Sequence, residues 1–97
     1  MHDYAPTGIG GASELRISSG SSSDFIGGIA GGTEGRILII VNVGSANFDL
    51  KHADTGSLDQ NKMIFLGSAN VTIPPVGNVT LRYDGTSSRW RAIAVVI

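Results

Sequence analysis

Carboxylates, six of the eight lying along the body of the chain, two histidines and a run of serines are the side chains of this sequence whose types could support catalysis. Asp24, Glu34, Asp49, Asp54, Asp59 and Asp84 are spread along the chain, and no spacing singles out a pair for general acid–base work. Asp84 stands directly before Gly85, where turn chemistry explains it. His52 lies at a strand end near Asp54 and Asp59, but no spacing supplies the further ligands a metal or catalytic role needs, so it reads as a solvent-exposed histidine. The serines lie in loops without a nucleophile-elbow motif. Glycines 27, 28, 31, 32 and 35 lack the Lys and Ser/Thr of a phosphate loop, and no helix follows them. The expectation is therefore no catalytic residue, no cofactor and no metal. Arg89-Trp90-Arg91 could stack on a base or a sugar ring. In an alternating strand, however, Trp90 faces away from both arginines, so a core tryptophan between two exposed arginines is expected. Two Asn-X-Thr triplets, at Asn70 and Asn78, fall within strands and so do not read as glycosylation sites.

The elements that hold these residues read as strands. Gly31 to Gly44 organises the chain: a glycine-rich turn leads into Ile37-Leu38-Ile39-Ile40-Val41, then Asn42 and Val43. The run is too short for a membrane helix, which needs about 20 apolar residues. Its β-branched content makes it a strand, the central one, apolar on both faces and hence set between two layers or against a partner subunit. Alternation predicts further strands over 14–18, 24–29, 47–52, 63–66, 70–73, 78–83 and 88–97. Asp84-Gly85-Thr86-Ser87 predicts a hairpin, and a short 3₁₀ turn is expected within 53–62 with Leu58 tucked in. The fold class is all-β: a single small β-sandwich, jelly-roll-like, of about eight antiparallel strands over 13–97, with an extended N-terminal arm or strap over 1–12.

The totals point the same way. A chain of 97 residues is one domain with a thin margin of stability. It has no cysteine and two histidines, so neither disulfides nor a structural zinc site reinforces it, and oligomerisation is the remaining device. Charged residues make up 15%, the net charge is −1, and seven Lys+Arg are scattered, which does not promise a nucleic-acid footprint. No basic and apolar leader opens the chain, and no stretch spans a membrane. The chain closes on Ala92-Ile93-Ala94-Val95-Val96-Ile97, apolar on both faces, with no charge or proline to guard a free edge. Another copy or a partner protein is expected to cover it. The expected interface residues are Tyr4, Pro6 and Ile9 of the arm and Val95, Val96 and Ile97 of the last strand.

Several stretches resemble a small β module of tailed-bacteriophage virion structural proteins, found in tail fibres and related components. They are Asp3-Tyr4-Ala5-Pro6-Thr7-Gly8-Ile9, Leu15-Arg16-Ile17-Ser18, Gly31-Gly32 with Gly35-Arg36, Ile40-Val41-Asn42-Val43-Gly44, Phe48-Asp49-Leu50-Lys51-His52, Asn61, and Tyr83 to Arg91. The closing Tyr-Asp-Gly-Thr-Ser-Ser-Arg-Trp-Arg run is the most specific; Lys62 stands where the family often has Arg. The resemblance carries no catalytic residues. It implies a virion structural protein, made in the bacterial host cytoplasm. A module standing alone from Met1 is more like a capsid decoration (cement) protein, typically trimeric, bound to the major capsid protein on the capsid surface. The alternative is a tail-fibre or receptor-binding module that recognises a cell-surface glycan through Trp90, Tyr83 or the 53–62 loop.

Overall fold

A computed structural model describes all residues from Met1 to Ile97. The chain is mostly β, with eight strands: β1 Glu14–Ile17, β2 Phe25–Ile26, β3 Ile37–Asn42, β4 Phe48–Leu50, β5 Met63–Ile64, β6 Val71–Ile73, β7 Asn78–Asp84 and β8 Arg89–Val96. They form two sheets, one of five strands in the order β1-β3-β7-β8-β5 and one of three in the order β2-β4-β6. The strand positions follow the alternation pattern. β7, not β3, is the middle strand of the larger sheet, and β3 lies between it and β1.

The expectation of antiparallel strands throughout is corrected. Of six pairings, β1–β3, β2–β4 and β5–β8 are parallel. The cause is a chain that changes sheet at every step from β1 to β7. A strand that leaves for the other sheet and then returns has room for the crossover a parallel pair requires. Only the Asp84–Ser88 turn joins neighbours directly, as a β7–β8 hairpin paired from Asp84↔Arg89 to Asn78↔Val96.

One core serves both sheets. Leu38, Ile40, Val79, Leu81 and Trp90 of the larger sheet and Ile26, Phe48, Leu50 and Ile73 of the smaller are all buried in it. Trp90 is fully buried, donates its indole N–H to the Ile29 carbonyl at 2.8 Å, and meets Tyr83 edge-on at 5.1 Å between ring centroids. Asn42, at the end of β3, is the polar tie between the sheets. Its Nδ2 donates to the carbonyls of Ala46 and of Ile73 in β6, both at 2.9 Å, and its Oδ1 accepts from the Gly44 N–H at 2.9 Å. Its backbone also exchanges bonds with Gly77 and Val76.

Residues 1–12 form a strap laid on the chain itself. The Met1 ammonium donates to the Phe25 carbonyl, the Gly27 N–H donates to the Met1 carbonyl, and the Tyr4 N–H donates to the Gly28 carbonyl. Farther on, the Arg36 guanidinium donates to the carbonyls of Ile9, Ala12 and Gly31. The 53–62 connection contains the expected 3₁₀ turn, at Asp59–Asn61, but Leu58 is exposed; Ser57 and Asn61 are the buried residues there. Gly27 and Gly28 are required where this connection crosses β2's end, because a Cβ on either would overlap the side chains of Asp54 or Ser57.

Because Asn42 satisfies three backbone groups at once, Asn42→Ala is expected to cost roughly 2–4 kcal/mol in chemical denaturation. Asn42→Asp should cost more, since it aims a carboxylate at two carbonyl oxygens. Equal stability of Asn42→Asp and wild type would show that the tie carries no load.

Candidate functional site

The polar residues with chemical potential are each committed to a local structural bond. Asp24 accepts from Ser19, Asp49 from Thr72, and Glu34 from Arg82 and the Gly85 N–H. Asp84 accepts from the Thr86 N–H, Ser87 and Arg91, which is the turn chemistry expected of it. His52 is half-buried, not free in solvent, and its Nδ1 accepts from the Phe65 N–H at 3.0 Å. No three His, Cys, Asp or Glu side chains converge as a metal set.

The densest polar cluster fastens the strap. Asp3 accepts from the Leu58 N–H and from Asn61, while its own N–H reaches the Ser57 hydroxyl. Beside it, Asp54 accepts from Ser57 at 2.8 Å and lies 2.5 Å from His2 Nδ1. Burial pushes the Asp54 carboxyl up, but hydrogen bonds from His2, Ser57 and the Gly56 N–H outweigh it and hold the group below its ordinary value. The Asp59 carboxyl is lowered by Lys62, and Asp84 by Ser87 and Arg91.

A largely apolar surface is also left uncovered. On the larger sheet, Ile37, Ile39 and Val41 of β3 point to the face opposite Leu38 and Ile40; Ile37 is 43% exposed and Ile39 36%. Paired residues share a face, so the rows Ile39↔Thr80↔Ala94 and Val41↔Asn78↔Val96 extend this stripe across β7 to β8. Uncharged Thr80 and Asn78 lie within it, and Arg82, held by Glu34, Arg91, held by Asp84, and the Glu14–Arg16 pair of β1 border it. A bulge between Thr80 and Leu81 shifts the register of β8 by one residue. β5 pairs with β8 only at Trp90 and Arg91, and the chain then turns away through Leu66–Ser68. From Ala92 onward β8 therefore has β7 on one side and no strand on the other. Along that open edge runs a groove of about 250 Å³, lined by Phe65, Leu66 and Val71 opposite Ala92–Val95, with no polar side chain.

Val95 and Val96 lie on opposite faces, as alternation requires, and Val95 lines the groove. Val95, Val96 and Ile97 are all exposed. The arm residues of the expected interface behave differently. Tyr4 and Ile9 pack against this chain's own core, and Pro6 is half-buried in the strap. Ile37, Ile39, Leu66 and Val71 belong to the apolar surface, with buried Phe65 beneath the groove, and none is among the expected interface residues; for Ile37 and Ile39 the two-faced apolar run of β3 is the available signal. Trp90 and Tyr83 are buried and offer no stacking platform. A second, amphipathic cavity of about 410 Å³ opens between the strap, the end of β1 and β2, with Ile26 and Phe48 at its floor and Tyr4, Arg16, Asp24 and Phe25 around it.

No family model, curated protein or solved structure matches the chain.

The lowered carboxylates set a pH dependence. Their folded-state values lie below their unfolded ones, so their contribution is present above the ordinary carboxylate range and is lost as pH falls through the folded values. The thermal midpoint is expected to drop below about pH 4, and Asp54→Asn should flatten that drop. An acid limb of unchanged steepness in Asp54→Asn would remove Asp54 from the account.

Proposed function

We propose that this chain is a bacteriophage virion structural protein, a capsid decoration (cement) protein that binds and stabilises the head shell, acting by assembly and not by catalysis. The observation that carries the reading is the uncharged stripe of Ile37, Ile39, Val41, Ala94 and Val96 on the outer face of the five-stranded sheet, continuous with the open end of β8. Aliphatic surface of this kind gains about 25 cal/mol per Å² when it is covered. Its burial between copies makes the protein a homo-oligomer. The burial argument alone accepts a twofold as readily as a threefold; the resemblance to virion modules favours a trimer. The remaining partner is the major capsid protein, and the location is the capsid surface after synthesis in the host cytoplasm.

The shared core supports reading the two sheets as a β-sandwich. A jelly-roll winding is not proposed, because half of the strand pairings are parallel.

The second reading, a tail-fibre or receptor-binding module that recognises a glycan, draws support from the amphipathic cavity. Phe25 and Tyr4 can face the apolar side of a sugar ring while Asp24, Ser23 and Arg16 meet its hydroxyls.

Binding to purified capsids lacking the protein separates the two. The decoration reading predicts saturable binding, weakened by Ile39→Lys without loss of folding, since Ile39 points away from the core. Absence of capsid binding, together with adhesion to host cells blocked by free sugars, would replace it with the fibre reading.

A further inference from the structure

We propose that the open edge of β8 from Ala92 to Val96, with the groove beside it, is a docking site for a short extended segment of a partner protein, which adds to the larger sheet in line with β5. The inference goes beyond the virion reading: it concerns the backbone edge of Ala92–Val96 and the groove beside it, although Ala94 and Val96 also belong to the outer-face stripe.

Three observations identify the occupant. First, β5 stops at Ile64, so the N–H and C=O groups of Ala92–Val96 that face away from β7 have no strand to pair with. Such a row of donors and acceptors is satisfied by another extended backbone; a helix or a lipid surface satisfies its own polar groups and cannot complete the ladder. Second, the groove is apolar throughout, from fully exposed Leu66 to Val95. A strand added here directs alternate side chains into it, so the segment is apolar at every second position and uncharged on that side. Third, the open stretch is five residues long, roughly 16 Å at strand spacing. A ladder of that length falls short of the roughly 1,200 Å² that a stable contact between two folded domains buries. That argues against this edge alone joining two copies of the chain and for a flexible segment that brings its own length into the groove. The bulge in β8 supports the same choice, since the local twist it imposes opposes open-ended edge-to-edge stacking of identical sheets.

The probe is the peptide acetyl-Lys-Thr-Val-Thr-Val-Thr-Val-Lys-amide, titrated into the isotopically labelled full chain. The expected result is saturable movement of the Ala92–Val96 amide resonances and slowed hydrogen exchange at those amides. The same peptide N-methylated at alternate residues on the ladder side should lose binding. Leu66→Lys, whose side chain is fully exposed and so leaves the fold intact, should weaken binding about tenfold. Three results would overturn the proposal: no saturable movement at Ala92–Val96 at millimolar peptide, equal binding by the N-methylated peptide, or slow exchange, in the dilute protein alone, of those amides in this stretch that face away from β7, where a second copy would already be covering the edge.

Discussion

Asn42 is the point at which two thin sheets become one structure. A side chain that is 1% exposed satisfies a carbonyl of the opposite sheet, a carbonyl of the following turn and an N–H of the same turn. Apolar packing is permissive about how two sheets slide past each other; a buried amide with three partners is not. The apolar residues of β3 and β6 are held in one register by this contact, and so are the turns at Val43–Ala46 and Val76–Gly77. The rest of the core is then a matter of filling the space the tie defines, with Trp90 as the largest piece and its indole N–H answered by Ile29.

The alternation of the chain between sheets has a second consequence. Strands that return to a sheet pair in parallel in β1–β3 and β2–β4 and antiparallel in β4–β6, and loops must cross from one layer to the other around the rim. The strap over residues 1–12 and the 53–62 connection close part of that rim, held by Asp3, Asp54 and Arg36. The rim is left open at the far end of β8, because β5 is two residues long against eight in β8. The apolar groove is thus a product of the same topology that builds the core.

Strand positions were readable because the alternation of Phe48 with Leu50, and of Val79 with Leu81 and Tyr83, reports burial on one face directly. Pairing direction was not readable, since alternation says which face of a strand is buried and nothing about which sheet the strand joins. Tyr4 and Ile9 did signal docking; that they dock on their own chain depends on the backbone bond of Tyr4 to Gly28 and on the Arg36 guanidinium meeting the Ile9 carbonyl, a three-dimensional fact. Leu58 misled for the opposite reason: a lone apolar residue in a polar loop suggests burial, yet Ser57 and Asn61 occupy the inside because Asp3, Asp54 and Gly28 need them there. The uncharged end of β8 was plain in the sequence. Its division into an outer face and an edge groove needed the bulge and the early end of β5.

The outer face of the larger sheet is proposed as an assembly surface. The most direct test is the solution mass of the full chain by sedimentation across a wide range of concentration. The expected species has a mass of three times 10.0 kDa, about 30 kDa, and persists on dilution into the low micromolar range. A single species of 10.0 kDa up to millimolar concentration would contradict it.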